Sequence, residues 1–101
     1  MLQDARLREC NYGDLNGTIE AARDRAAHVD VPYPGGESWR EAVERATGFF
    51  DELRSDRDGE RVLVIGNIAT RLALEVAAGG RSLEDAMAAP FSWQPGWEYR
   101  L

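Results

Sequence analysis

The sequence predicts an α/β fold, and three groups of residues lead to this prediction. Residues 61–66, RVLVIG, have the nearly continuous apolar character of a strand that is covered on both faces, as in a sheet between helices. The pair Ser38 and Glu41 forms a capping box at the start of a long amphipathic helix. Residues 5–10 and 97–101 alternate enough to form two further strands. The predicted order of elements is therefore β-α-α-β-α-α-β.

Four helices fit between these strands, and their capping residues and stop signals place them. Thr18 caps a short helix that runs to about Ala27, and a loop rich in proline and glycine separates it from the helix at Ser38. A third helix covers residues 68–78 and stops at a glycine pair, and Ser82 caps the fourth. The second helix has one apolar face, formed by Trp39, Ala42, Val43, Ala46, Phe49, Phe50 and Leu53.

Composition limits the classes of function. With 101 residues, of which 44% are hydrophobic, the chain is expected to form one domain, residues 1–101. The formal net charge is −6 and basic residues form no cluster, which argues against nucleic acid as a partner. Cys10 is the single cysteine and His28 the single histidine, so we expect no internal disulfide, no metal site and no cofactor. No apolar run approaches the ~18–20 residues that span a bilayer, and we expect a cytoplasmic protein without a membrane partner.

Asn67 lies where the second predicted strand turns into the third predicted helix. Open α/β sheets place their ligands at the carboxyl ends of strands, and the free backbone N–H groups of a helix start, here at Ile68, attract phosphate or carboxylate. Asparagine is also one of the best helix caps, so Asn67 either contributes to an anion site or only caps the helix. Arg71, one turn further on, either faces the same site or lies on the surface.

Glu9 is the candidate acid or base. It lies on the first predicted strand, just before a turn that contains glycine, so it is a candidate to face a cleft at a sheet edge and to perform general acid chemistry. The alternative is a solvated glutamate that pairs with Arg8 or with another arginine. The residues alone leave both interpretations open.

Several motifs, in one order along the chain, resemble those of a known family. Residues 7–17, LRECNYGDLNG, resemble the LRE-x-x-(F/Y)-G-x-x-x-G stretch of the histidine phosphatase superfamily, the phosphoglycerate mutase-like proteins. Residues 34–38, PGGES, resemble the PGGES loop and helix start of that family. Residues 62–71, VLVIGNIATR, resemble its VLVVSH-G-x-x-R strand and turn, and most closely the actinobacterial form VIGH-(I/V)-ATR. The segment WQPGWEYRL is similar to the end of the same bacterial branch.

The resemblance implies an α/β/α sandwich and a two-step phosphoryl transfer. In this family a histidine of an N-terminal RHG motif takes the phosphoryl group, two arginines and a second histidine hold it, and a carboxylic acid protonates the leaving oxygen. By this correspondence Glu9 is the acid, and Asn67 stands at the position of the second histidine.

The chain also departs from the family pattern. It resembles only the second half of the domain, so the RHG segment with its nucleophilic histidine and both phosphate arginines has no counterpart. Asn67 can donate a hydrogen bond but cannot become a cation or take up a proton at neutral pH. His28 lies in a variable loop and matches no catalytic position. We therefore expect a truncated domain that is not a competent phosphatase on its own.

The family places its first strand in the middle of the sheet, and this chain lacks a counterpart of that strand. Because exposed strand edges and uncovered apolar faces are avoided, we expect a homodimer or a complementary N-terminal half to complete the sheet.

Three functions stay open at this point. The chain is a degenerate family member that binds a small anionic or polar ligand or a protein partner, a repurposed enzyme with Glu9 as acid/base for an isomerisation or cyclisation, or one half of a split or mutated phosphatase. The candidate site residues are Glu9 for acid/base chemistry and, for ligand binding, Asn67, Ile68, Arg71 and Arg8.

Overall fold

The structure, a computed structural model, describes residues 3–101, and its regular elements are all helical. Four α-helices follow one another along the chain: α1 Ile19–Arg23, α2 Trp39–Asp56, α3 Ile68–Ala77 and α4 Leu83–Ala88. Three short 3₁₀ turns precede α2: Ala5–Leu7, Gly13–Leu15 and Arg25–His28. The four predicted helices are therefore confirmed, although α1 ends earlier than predicted and a 3₁₀ turn follows it.

The prediction of an α/β fold is wrong, because no strand forms in the part of the chain that the structure describes. The first candidate strand, residues 5–10, contains a 3₁₀ turn. Residues 61–66 and 97–101 are irregular, and within the described chain their backbone groups make no hydrogen bond. A strand exists only through pairing with a neighbouring strand. The α/β/α sandwich implied by the family resemblance, with a sheet completed by dimerisation, is therefore not the fold that this chain adopts.

The longest helix, α2, starts at the predicted capping box. The Ser38 hydroxyl accepts a hydrogen bond from the Glu41 backbone (3.1 Å), and the Glu41 carboxylate accepts one from the Ser38 backbone (3.2 Å). Two N–H groups at the helix start are thereby satisfied. The predicted apolar face is confirmed as well: Phe49 and Leu53 are half-buried, and the fully buried members are Trp39, Ala42, Val43, Ala46 and Phe50.

The core lies where α2 packs against α3, and small side chains line this contact. Ala42 and Ala46 of α2 and Ala69 and Ala73 of α3 are all 0% exposed. Because alanine presents only a methyl group, two helices can approach closely at such positions. Leu83 of α4 belongs to the same buried cluster. This packing fixes the start of α3 relative to α2.

The loop before α2 is held against the N-terminal segment. The Glu37 backbone donates a hydrogen bond to the Asn11 carbonyl (2.8 Å), and a Cβ atom at Gly36 would overlap that carbonyl. Glycine is therefore required at this close approach. The contact brings the chain around Cys10 alongside the start of α2, where the Cys10 sulfur lies 3.9 Å from the Ser38 carbonyl.

Tyr33 connects the same loop to α1 and α2 in the interior. Its hydroxyl accepts a hydrogen bond from the Trp39 indole (3.1 Å) and donates one to the Ala21 carbonyl (2.7 Å). Tyr33 and Trp39 are both buried, and Tyr12 meets the Tyr33 ring edge-on at 5.2 Å. Two buried polar groups from two helices therefore depend on one hydroxyl.

The substitution Tyr33→Phe removes this hydroxyl and leaves the Trp39 N–H and the Ala21 carbonyl without it. We expect the free energy of unfolding to fall by about 1–3 kcal/mol, the cost of leaving buried polar groups unpaired. Urea denaturation followed by tryptophan fluorescence measures the loss. Tyr12→Phe is the matched control, because the Tyr12 hydroxyl has no hydrogen-bond partner within residues 3–101. Equal losses in the two variants would contradict this assignment.

Candidate functional site

Asn67 is the N-cap of α3. Its Oδ1 accepts a hydrogen bond from the Thr70 backbone (3.2 Å), and the Asn67 backbone donates one to the Thr70 hydroxyl (3.2 Å). Its Nδ2 donates to the Leu7 carbonyl (3.0 Å), which ties the start of α3 to the N-terminal segment. A Cβ atom at Gly66 would overlap the Thr70 side chain, so glycine is needed just before the cap. The sequence leaves open whether Asn67 contributes to an anion site or only caps the helix, and in the structure it caps the helix.

Glu9 lies at the same helix end. Its Oε1 accepts a hydrogen bond from the Ala69 backbone (3.1 Å), in the first turn of α3, and another from the Cys10 backbone (3.0 Å). The first N–H groups of a helix have no partner within the helix and carry the positive end of its dipole, so a carboxylate is stabilised there. The chain's own carboxylate thus occupies the position that a bound anion would take.

Arg71 points away from this helix end and towards the C-terminal segment. Its guanidinium lies 4.7 Å from the centre of the Trp97 ring and 5.6 Å from that of Phe91. It also lies 3.8 Å from the carboxylate of Glu75, which accepts a hydrogen bond from the Tyr99 hydroxyl (2.7 Å). Arg71 therefore holds residues 91–99 against α3 through cation–π contacts.

The remaining two candidate residues have no role in the Glu9 contacts. Ile68 is the first residue of α3, and its side chain is partly exposed. Arg8 is exposed and lies 4.0 Å from the carboxylate of Glu37, so its acidic neighbour is Glu37 and not Glu9. Glu9 and Asn67 therefore lie at the same end of α3. The three other candidates, Ile68, Arg71 and Arg8, do not form a common site with them.

Arg45 of α2 is a structural residue of this region that the sequence analysis missed. Its side chain is only 12% exposed and donates to the carbonyls of Arg6 (3.0 Å) and Arg8 (2.9 Å). It also donates to the carboxylate of Glu37 (2.8 Å). These contacts hold the backbone on which Glu9 stands. A sequence signal exists, because Arg45 directly precedes a residue of the apolar face of α2, and an arginine at the edge of a core needs partners.

The carboxylate of Glu37 is ionised more readily than an ordinary glutamate. Burial opposes its ionisation, but the hydrogen bonds from Arg45 and from the Asn11 backbone, together with the charges of Arg45 and Arg8, outweigh burial. The pKa of Glu37 therefore lies below its ordinary value. The ionised form stabilises the fold, so Glu37 and Arg45 act as one partly buried ion pair.

Cys10 and His28, the single cysteine and the single histidine of the chain, both make contacts that serve the fold. Cys10 is buried, and burial, followed by the negative charge of Glu37, raises the pKa of Cys10 to about 12. The Nδ1 of His28 lies 2.9 Å from the Val31 carbonyl, and its ring stacks on Tyr33 at 4.0 Å. His28 therefore belongs to the loop before α2.

Residues 3–101 contain neither a candidate metal site nor a candidate membrane span. No group of three or more histidine, cysteine, aspartate or glutamate side chains in this range could hold a metal ion. None of the helices in the same range is long and apolar enough to cross a membrane.

The chemistry available at the start of α3 is limited by these contacts. Asn67 uses its amide oxygen and nitrogen for backbone partners, and Glu9 uses Oε1 for two backbone N–H groups. An amide neither gains nor loses a proton to a significant extent near neutral pH, so only the carboxylate of Glu9 has acid/base capacity here. As arranged, the two side chains join the N-terminal segment to α3.

We expect Arg45→Met to lower the free energy of unfolding by about 2–3 kcal/mol, because it leaves the Glu37 carboxylate and two carbonyls without their donor. The loss is below the ~3–5 kcal/mol of a fully buried pair because water reaches part of this one. Chemical denaturation measures it. Arg40→Met is the control: Arg40 is also on α2 and pairs with Asp30 and Glu84, but its side chain is 38% exposed. A surface pair contributes ~0–1 kcal/mol, and equal losses would contradict the role of Arg45.

The same pair predicts a pH dependence. Because the pKa of Glu37 is lowered in the folded chain, its contribution is complete above the ordinary value of 4.5 and is lost as the pH falls through the lower, folded value. Denaturation curves at a series of pH values should show the wild type and Arg45→Met converging below pH 4.5. A constant difference between them at all pH values would show that the charge of Glu37 is not involved.

The Cys10 thiol is expected to react with Ellman's reagent only after unfolding, because it is buried and stays protonated at neutral pH. Labelling in buffer and in denaturant measures the difference. Ser92→Cys, at an exposed position, provides a fast-reacting thiol in the same chain as the control. Fast labelling of the folded wild type would show that the region around Cys10 is open.

Comparisons with known proteins agree with the family resemblance. The chain matches the family described as the histidine phosphatase superfamily (branch 1) over residues 1–91. A curated relative, the 2,3-bisphosphoglycerate-dependent phosphoglycerate mutase of Parvibaculum lavamentivorans, is 32% identical over an alignment of 90 residues. The match covers 75% of this chain and 43% of the relative. The chain thus spans less than half the length of that relative. No solved structure matches the chain. The family match over most of the chain confirms the resemblance, and the chain belongs to the histidine phosphatase superfamily.

Proposed function

We propose that this chain is a member of its superfamily that carries out no phospho-histidine chemistry on its own and acts by binding a protein partner. The observation that carries the proposal is the occupied start of α3. There the carboxylate of Glu9 accepts from the Ala69 N–H and the side chain of Asn67 accepts from the Thr70 N–H, two donors that would otherwise be open to an anion.

The position of the only histidine supports the loss of phosphoryl transfer. A phospho-histidine reaction needs an imidazole at the reacting site, and asparagine cannot replace it because its amide neither accepts a phosphoryl group nor takes up a proton at neutral pH. His28 is bound to the Val31 carbonyl and stacked on Tyr33 in the loop before α2. Glu9 and Asn67 therefore have no histidine partner for this chemistry in this chain.

A small anion is the weaker candidate ligand. At the start of α3 it would have to displace the Glu9 carboxylate and then remain beside that negative charge. The nearby arginines are already engaged: Arg71 stacks on Trp97, and Arg8 lies beside Glu37. With this end of α3 filled by the chain itself, binding of a partner elsewhere on the surface becomes the better proposal.

Exposed apolar residues favour a protein partner. Leu63 and Ile65 are 87% and 75% exposed, and they lie in a segment whose backbone makes no hydrogen bond within the described residues. Monomeric soluble proteins rarely expose contiguous apolar patches of more than a few hundred Å², and larger patches mark interaction sites. Phe91 and Trp93 add further exposed apolar side chains on the C-terminal segment.

The repurposed-enzyme alternative requires Glu9 to act on a substrate. A general acid must reach the reacting atom, whereas Oε1 of Glu9 is bonded to two backbone groups. The alternative of a split phosphatase requires a second chain that supplies the nucleophile. An activity measurement on the purified chain, with and without Glu9, separates our proposal from an enzyme that uses this carboxylate on its own.

The test is a phosphatase assay on para-nitrophenyl phosphate with the purified chain and, in parallel, an active member of the superfamily. We expect no turnover above buffer, because no histidine faces Glu9 and Asn67. Turnover that disappears in Glu9→Gln would overturn the proposal in favour of an enzyme that uses this carboxylate. Asn67→His, which restores an imidazole at position 67, is expected to stay inactive, since the nucleophilic histidine of the family has no counterpart in the chain.

A further inference from the structure

The last segment of the chain, residues 90–101, lies beside α3 and has no regular structure of its own. It follows α4, which ends at Ala88 and is anchored in the core by the buried Leu83. Within residues 3–101, the backbone groups of this segment make no hydrogen bond to other backbone groups. Side chains therefore hold the segment, which we call the C-terminal strap, against the helices.

Arg71 and Glu75, one turn apart on α3, are the residues that receive the strap. The Arg71 guanidinium lies 4.7 Å from the centre of the Trp97 ring and 5.6 Å from that of Phe91. The Glu75 carboxylate accepts a hydrogen bond from the Tyr99 hydroxyl (2.7 Å). Trp97 and Tyr99 are half-buried, whereas the residue after each of them is exposed, which is the alternation of an extended segment that lies with one side on a helix.

The closed strap also carries an energetic cost, because it leaves two buried polar atoms unpaired. Within residues 3–101, Nε of Arg71 and Nε1 of Trp97 are buried and have no hydrogen-bond partner. An N–H group that loses its bond to water on burial, and gains none in return, opposes that burial. The cation–π contacts and the bond from Tyr99 favour the closed arrangement, and the two unpaired atoms favour opening. The position of the strap is therefore a balance between opposing contributions.

The strap contributes nothing to the hydrophobic core. Among the residues that the structure describes, neither the buried cluster nor the half-buried apolar residues packed against it include any residue after Met87. Two large side chains of the strap, Phe91 and Trp93, are instead 66% and 74% exposed. Removing the strap from α3 therefore takes no side chain out of the core, and the contact between α2 and α3 stays complete.

We propose that the C-terminal strap is poised between a closed and an open state, with Arg71 as its latch, and that it opens while the four helices stay folded. Segments with few buried apolar contacts and unprotected backbone groups open locally, at a lower free energy than the whole fold. Opening uncovers the side of α3 that carries Arg71 and Glu75 and frees the rings of Phe91 and Trp97. The strap thereby controls access to this side of α3. The inference goes beyond the proposed function and does not depend on it.

The first experiment compares Trp97 of the strap with Trp39 of the core in the same molecule. The chain is labelled with 5-fluorotryptophan, and the fluorine NMR signals are assigned with Trp93→Phe and Trp97→Phe. The difference in chemical shift between H₂O and D₂O reports the exposure of each ring to solvent. As urea is added, we expect Trp97 to become exposed at a lower concentration than Trp39, which is 0% exposed in the folded chain. Far-UV circular dichroism should follow Trp39.

The second experiment tests the latch. Arg71→Gln removes the cation, and without urea we expect the open fraction to rise about tenfold, because both cation–π contacts are lost. Arg81→Gln is the matched control: its guanidinium also lies 3.8 Å from the Glu75 carboxylate, but none of the cation–π contacts within residues 3–101 involves it. This variant should leave the Trp97 signal unchanged. Tyr99→Phe, which removes the hydrogen bond to Glu75, should raise the open fraction as well.

Three results would overturn the inference. Exposure of Trp97 and Trp39 at the same urea concentration would show that the strap unfolds only with the core. An Arg71→Gln variant whose Trp97 signal moves no further than that of Arg81→Gln would show that Arg71 is not the latch. Loss of helical circular dichroism in Arg71→Gln would show that Arg71 supports the helices themselves. None of these results bears on the phosphatase assay, whose outcome leaves the strap unaffected.

Discussion

The guanidinium of Arg45 is the group on which the arrangement of the N-terminal segment depends. Residues 3–18 form no helix longer than a single turn, so their position must come from contacts with the rest of the chain. Arg45 supplies these contacts from a rigid helix, through two carbonyls and the carboxylate of Glu37. Burying a cation is unfavourable unless it is paired and hydrogen-bonded, and here both conditions are met.

The contacts that Glu9 and Asn67 make at the start of α3 depend on the position of the N-terminal segment. Once the backbone at residues 6–8 is fixed, the Leu7 carbonyl can accept from Asn67 and the Glu9 carboxylate can reach the first turn of α3. The alanine contacts between α2 and α3 set the other half of the geometry. The start of α3 belongs to a motif that this chain shares with a family of enzymes. In this chain it holds the N-terminal segment against α3.

The parts of the fold that depend on local sequence were predictable. The caps at Ser38 and Asn67 and the apolar face of α2 involve residues within a few positions of one another, and all of them are present. The strands were not predictable, because an apolar run such as residues 61–66 becomes a strand only when another segment pairs with it. The placement of Glu9 and Asn67 at the same helix end was reached through the family resemblance alone. Arg45 was missed because its partners are mainly backbone carbonyls distant in sequence.

The exposed apolar segment around Leu63 affects how the chain behaves at high concentration. The run from Val62 to Ile65 has high β-propensity and contains no charge or proline, features that it shares with the longer segments that stack into cross-β fibrils. Charged residues precede this run. They lie where natural sequences place gatekeeper residues, the charges that flank such stretches and oppose aggregation. Any partner that covered this segment would therefore also protect the chain from aggregation.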